Sequence, residues 1–82
     1  MEKVFIRTVT YHYTGLIRAE TPEYIELTSA AWIADSGRFS DAMSSGVFDE
    51  VEPYPDNCVV RVYKASIVDV SSWGHALPRE QK

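Results

Sequence analysis

Apolar and polar positions alternate along most of this chain, which is typical of β-strands rather than helices. The segment Lys3–Tyr13 (KVFIRTVTYHY) is dense in β-branched and aromatic residues and predicts a first strand. Alternation places Val4 and Ile6 on one face of this strand and Phe5 on the other. Because neither face is purely polar, we expect both faces to be partly covered.

Two further strands are predicted to form a hairpin. After a bend or bulge at Thr14-Gly15, the segment Gly15–Glu20 predicts the second strand, and Thr21-Pro22-Glu23 predicts a turn. The third strand is predicted to start with Ile25 and Leu27 inward and Tyr24 and Glu26 outward. The segment Ser29–Ile33 either prolongs this third strand or bends away from it.

A short helix interrupts the β pattern over residues 37–44. Its apolar side chains, Phe39 and Met43, are four residues apart, and a glycine follows as a stop signal. Asp35 or Ser36 can cap its first turn. Since two turns of helix are unstable alone, we expect Phe39 and Met43 to dock on the sheet.

The remaining segments complete one domain. We predict an acidic loop at 49–57, a fourth strand at 58–63, and a fifth at 65–70 that bends away at Lys64-Ala65. Val47 and Phe48 anchor the loop, and the tail frays beyond Trp73 and Leu77. The predicted parts are 1–34 (strand and hairpin), 35–56 (helix and acidic loop), 57–70 (β pair) and 71–82 (tail).

Composition narrows the function classes. A domain of 82 residues has a thin core, so small domains of this kind often gain stability by association. Cys58 is the single cysteine, which excludes an intrachain disulfide and favours a buried apolar role. The net charge of −4 disfavours indiscriminate nucleic-acid binding. Without a signal-peptide core, metal motif or long apolar run, we expect a cytoplasmic protein with no membrane partner, metal or cofactor.

Two pieces of the chain resemble the Sm-like (Hfq-type) family of RNA-binding proteins. Gly15-Leu16-Ile17 followed by Tyr24-Ile25-Glu26-Leu27 looks like its first motif, and Val62-Tyr63-Lys64-Ala65-Ser66-Ile67 looks like its second. The resemblance implies a strongly bent, five-stranded SH3-like barrel, here with a helix between the third and fourth strands. It implies nucleotide contacts at Tyr63 and Lys64. The chain departs from the family in its opening strand, its long insertion and Ala65, where a histidine is frequent.

The whole chain also resembles small proteins encoded by phages and prophages. Those proteins run from a strand through a glycine hairpin to an aromatic segment, a short helix and a late β pair. Here the aromatic segment is Ala30–Phe39. This resemblance implies a phage origin and the host cytoplasm as location.

Two groups of residues are candidates for ligand binding. Asp35 and Arg38 at the helix start could hold an anion, with Trp32 or Phe39 stacking on a base. Alternatively Arg38 pairs with Asp35 or Asp41, and the aromatic rings only pack the helix. The second group, which Arg18 could join, consists of Arg61, Tyr63 and Lys64; its alternative role is a charged edge strand that blocks aggregation.

A third group is acidic and consists of Glu50, Glu52, Tyr54 and Asp56. It is either a solvated loop or a surface for a basic protein partner. His12 has no nucleophile pattern beside it, so we expect a packed histidine rather than a catalytic base, and no enzyme.

We therefore predict a non-enzymatic homo-oligomer that binds a nucleotide or short RNA between subunits. The resemblance to phage proteins further implies that it is phage-encoded and acts as a counter-defence factor. The alternatives are an acidic inhibitor or adaptor of a host defence protein, and a phage structural or assembly component.

Overall fold

The computed structural model describes residues 1–82 and is built mainly from β-strands. The elements in chain order are β1 (Lys3–Thr8), β2 (His12–Glu20), β3 (Tyr24–Asp35), α1 (Phe39–Ser45), β4 (Glu50–Pro53), β5 (Val60–Tyr63), a 3₁₀ turn (Lys64–Ser66) and β6 (Ile67–Ser72). No helix is long and apolar enough to cross a membrane.

The strands form one antiparallel sheet in the order β4-β3-β2-β1-β6, and β5 also pairs with β3. The long strand β3 has room for both partners on the same edge. Its first part, Tyr24–Leu27, pairs with β5, and its last part, from Ala31 to Asp35, pairs with β4. The predicted mainly-β fold is confirmed. The predicted five-stranded barrel is not, because the sheet has six strands and β5 does not pair with β6 to close it.

One extra residue in β3 changes which side chains share a face. Thr14 pairs with Ala31, but Leu16 pairs with Thr28, so β3 has an additional residue opposite Gly15. Ser29 within this bulge has a positive φ of 49°. A Cβ at Gly15 would lie 3.1 Å from the Cβ of Leu27, so a larger residue here would crowd β3 at the bulge.

Two hydrophobic cores lie on opposite faces of the sheet. The inner face carries Val4, Ile6, Ile25, Leu27, Ala30 and Val62. The outer face carries Phe5, Ala31 and Ile33, which pack against Ala42, Phe48, Val51 and Trp73. The expectation that both faces of the first strand are covered is confirmed, since Val4 and Phe5 belong to different cores.

The helix α1 covers part of the outer face. It docks through buried Ala42 and partly buried Met43, while Phe39 stays partly exposed with its ring 6.1 Å from that of Phe5. The N-cap is Arg38, without a side-chain capping bond, rather than the predicted Asp35 or Ser36. The predicted stop at Gly46 is confirmed by its left-handed φ of 76°.

Two predicted boundaries are wrong: the end of the first strand, and the extent of the acidic loop that follows the helix. The first strand ends at Thr8 and not at Tyr13, because the N–H of Thr8 donates to the carbonyl of Tyr11 in a turn, and β2 begins at His12. The segment predicted as an acidic loop contains β4, which pairs with the last part of β3. Without β4, the backbone N–H and C=O groups along that edge of β3 would lack partners. The predicted bend at Lys64-Ala65 is confirmed by the 3₁₀ turn.

The C-terminal tail is fixed rather than frayed. Trp73 is buried and Leu77 packs on the outer core, as predicted. Beyond them, Lys82 and Val51 exchange two backbone hydrogen bonds of 2.9 Å, the pattern of an antiparallel pair. Arg79 donates to the carbonyl oxygens of Ala30 at 3.0 Å and Tyr54 at 2.7 Å. These bonds hold the tail along β4.

Because each face of the sheet carries a packed core, shortening a buried side chain on either face should lower the free energy of unfolding. Ile6→Val on the inner face and Ile33→Val on the outer face should each lower the free energy of unfolding by about 0.5–1.5 kcal/mol, since both side chains are fully buried. Urea denaturation measures the loss. The control Val68→Ala, at an exposed position of β6, should stay within about 0.5 kcal/mol of the parent. A neutral Ile33→Val would contradict a well-packed outer core.

Candidate functional site

A mixed group of polar and aromatic side chains lies on the outer face where β5 pairs with β3. The register places Tyr24 opposite Tyr63 and Glu26 opposite Arg61. Since cross-strand partners share a face, these side chains project together, and Arg18 of β2 reaches Glu26 from the other side. We call this group, completed by Lys64, the β5 surface: Arg18, Tyr24, Glu26, Arg61, Tyr63 and Lys64.

Glu26 is the centre of the β5 surface, and its side chain is only 8% exposed. Its Oε1 accepts a hydrogen bond from Nη1 of Arg18 at 2.7 Å, and its Oε2 accepts one from Nε of Arg61 at 2.9 Å. The hydrogen bond from Arg61, assisted by Arg18, lowers the pKa of Glu26 despite the opposing effect of burial. The carboxylate is therefore ionised and fixes both guanidinium groups.

Both arginines remain accessible to solvent. The side chains of Arg18 and Arg61 are 55% and 52% exposed, although each donates one N–H hydrogen bond to Glu26. The hydrogen bond to Glu26 and, to a smaller extent, the electrostatic interaction with Tyr24 raise the pKa of Arg61. Within the cluster of Arg18, Glu26 and Arg61, two guanidinium groups therefore share one carboxylate.

Aromatic rings extend the β5 surface. The guanidinium carbon of Arg61 lies 4.7 Å from the ring centroid of Tyr24, in cation–π geometry. The ring of Tyr24 meets that of Tyr63 edge to face at 5.6 Å. Tyr63 itself is 53% exposed, so a face of its ring is available to a ligand. An exposed ring thus stands next to a fixed guanidinium group.

Lys64 lies at the rim of the β5 surface, at the start of the 3₁₀ turn. Its Nζ donates to Oε2 of Glu20 at 2.6 Å. The charge of Lys64 is therefore balanced within the chain, which makes it a weaker anion contact than the two arginines.

The structure separates the predicted ligand residues into two groups. Trp32 lies eight residues beyond Tyr24 on β3, roughly 25 Å away along the strand. The ring of Trp32 packs 4.6 Å from that of Tyr11, and its cross-strand partner on β4 is Glu52. Trp32 and Tyr63 therefore do not meet within one chain.

A carboxylate of the chain itself already accepts a backbone N–H directly before α1. Oδ1 of Asp35 accepts the N–H of Gly37 at 2.8 Å, and a Cβ placed at Gly37 would lie 3.0 Å from both carboxylate oxygens of Asp49. Arg38 forms no ion pair with Asp35 or with Asp41. An external anion at this position would meet two carboxylates, which makes the β5 surface the more favourable anion site.

The ring of Phe39 also has a partner within the chain, the guanidinium group of Arg7. The guanidinium carbon of Arg7 lies 4.5 Å from the centroid of its ring. Arg7 in turn forms a bidentate ion pair with Asp69, and this hydrogen bonding lowers the pKa of Asp69. The pair fixes α1 against β1 and β6. The ring of His12 packs 5.6 Å from that of Phe5 nearby.

Three members of the predicted acidic group, Glu52, Tyr54 and Asp56, line a shallow cleft of about 410 Å³ between β4 and the tail. Glu50 is exposed, but Asp56 pairs with Arg79 at 2.7 Å, and Glu52 accepts from Gln81 at 3.0 Å. Tyr54 is partly buried, and burial raises its pKa. The tail therefore neutralises part of this surface.

No protein-family model, curated protein or solved structure matches this chain. Sequence reasoning found Arg61, Tyr63 and Lys64 but left out Tyr24 and Glu26. The outward face of Glu26 was expected, but its burial between arginines was not, because that depends on the pairing of β5 with β3.

The ion pairs of Glu26 predict an acid-sensitive stability. Because its pKa is lower in the folded state, the unfolded chain takes up the proton first as pH falls. The stabilising contribution is complete above the ordinary glutamate value of about 4.3 and is lost as pH falls towards the lower folded value. Glu26→Gln should therefore flatten the loss of stability in this range, measured by urea denaturation at several pH values.

The control for this experiment is Glu23→Gln, which alters an exposed glutamate without an ion pair. It should leave the acid dependence close to that of the parent. Equal pH profiles for the parent and Glu26→Gln would show that the carboxylate is not held by the arginines.

Proposed function

We propose that this chain is a non-enzymatic binding protein that takes a nucleotide or a short single-stranded nucleic acid on the β5 surface. The observation that carries the proposal is the exposed ring of Tyr63 beside the fixed guanidinium group of Arg61. Stacking on an aromatic ring combined with a cationic contact is the general means of binding single strands.

The local charge supports binding of a small anion rather than of long nucleic acid. The whole chain has a net charge of −4, and six acidic residues but one basic residue lie between positions 35 and 56. A long polyanion would be repelled by this end of the molecule. The β5 surface, where two arginines share the single carboxylate of Glu26, lies at the other end of β3.

We further propose that the protein acts as a homo-oligomer. The outer edges of β5 and β6 are unpaired. Exposed apolar side chains lie on β6, at Val68 and Val70, and directly before β5, at Val59. An exposed edge with apolar side chains is a template for pairing with another chain. Pairing between copies would bring a neighbour close to Tyr63 and place the ligand between subunits. The resemblance to Sm-like proteins agrees with this assembly, and the resemblance to phage proteins motivates a counter-defence role in the host cytoplasm.

Stacking on Tyr63 predicts a measurable loss of affinity when the ring is removed. Base–aromatic stacking contributes about 1–3 kcal/mol per base, so Tyr63→Ala should weaken binding by at least about fivefold. Fluorescence anisotropy with a labelled four-nucleotide RNA measures this change. The control Tyr11→Ala removes an exposed ring that contacts Trp32 away from the β5 surface, and should leave affinity unchanged. Equal losses in both variants, or no binding by the parent, would count against the proposal.

An acidic protein-interaction module is the second candidate function. The exposed carboxylates of Asp49 and Glu50, which have no ion pair in the chain, favour it. In that case charge reversal by Glu50→Lys and Glu52→Lys should abolish capture of a basic host partner while leaving RNA binding unchanged. A phage structural or assembly role would instead show as co-purification with virions.

A further inference from the structure

We propose that Arg18 and Arg61 bind the 5′-phosphate of the ligand while Tyr63 stacks on the base of the same nucleotide. This inference rests on the proposed function and names the chemistry of its ligand: one nucleotide unit with a 5′-phosphate, either free or at the end of a short strand. It adds Arg18 as a ligand residue and Glu26 as a positioning residue.

Glu26 brings together two guanidinium groups that belong to different strands. Arg18 lies on β2 and Arg61 on β5, on either side of β3, yet each contacts one oxygen of the same carboxylate. Arg18 donates through Nη1 and Arg61 through Nε, and neither has a second carboxylate or carbonyl acceptor in the chain. Their remaining N–H groups are available to the oxygens of a phosphate, for which guanidinium forks are well suited.

The ratio of charges distinguishes this cluster from an ion pair that only stabilises the fold. One arginine would neutralise Glu26, and the second arginine adds an unbalanced positive charge at a half-exposed position. The carboxylate is buried beneath the two arginines, so a phosphate approaching from solvent meets the guanidinium groups first. The matched pair of Arg7 with Asp69, on the same face near α1, has no such excess.

Strand geometry sets the size of the ligand. Arg61 and Tyr63 are two residues apart on one face of β5, which corresponds to about 6.6 Å along the strand. This spacing is comparable to the span between the base and the 5′-phosphate of a single nucleotide. A base stacked on Tyr63 would therefore direct its own phosphate towards Arg61 and Arg18, and would not need a second nucleotide to reach them.

The experiment is isothermal titration calorimetry of the full chain with adenosine, adenosine 5′-monophosphate and a four-nucleotide RNA with and without a 5′-phosphate. The parent should bind the monophosphate at least about tenfold more tightly than the nucleoside, because charge-assisted hydrogen bonds to phosphate are strong. Arg18→Gln should reduce this ratio to near one, and Arg18→Lys, which keeps the charge without the fork, should give an intermediate ratio. The control Arg7→Gln should leave the ratio unchanged.

The outcomes separate this inference from the proposed function. Equal affinity of the parent for nucleoside and monophosphate, with binding lost in Tyr63→Ala, would overturn the phosphate assignment while the binding function stands. An unchanged ratio in Arg18→Gln would also overturn it. Absence of binding to all four ligands would overturn both. If the 5′-phosphate enhances binding of the RNA alone, the ligand is a strand end rather than a free nucleotide.

Discussion

The additional residue of β3 opposite Gly15 is the constraint on which the rest of the structure depends. Side chains alternate strictly along a strand, so one extra residue reverses the face of everything that follows. Before the bulge, Ile25 and Leu27 face the inner core. After it, Ala31 and Ile33 face the outer core. A single strand thereby supplies apolar side chains to both faces of the sheet, which an 82-residue chain needs because its core is small.

The bulge also explains why a polar surface and a hydrophobic core share one face. On the outer face, the part of β3 after the bulge is covered by α1, Phe48 and the tail. The part before the bulge presents Tyr24 and Glu26, which no helix covers. The arginines of the neighbouring strands close over Glu26 instead, and their exposed side chains become the available binding chemistry. The proposed function therefore follows from what the helix and tail leave uncovered.

Local sequence signals predicted the local features well. Gly46 ended the helix, and Lys64-Ala65 marked the bend before β6. Thr14-Gly15 was expected to separate two strands, but it lies within β2, and the extra residue of the bulge belongs to β3. Long-range features could not be predicted in the same way. The burial of Glu26 depends on arginines 8 and 35 positions away, and the fixed tail depends on Lys82 meeting Val51. The acidic segment around β4 was predicted as a loop, because a strand of only four residues gives too short an alternating pattern to be identified.

The register of β2 and β3 is the most direct test of this account. Nuclear Overhauser effects between cross-strand protons report which residues are opposite each other. The structure predicts contacts of Leu16 with Thr28 and of Thr14 with Ala31. A regular register would instead pair Thr14 with Ala30 while keeping Leu16 opposite Thr28. Observation of that regular pairing would remove Ala31 and Ile33 from the outer core and contradict the account.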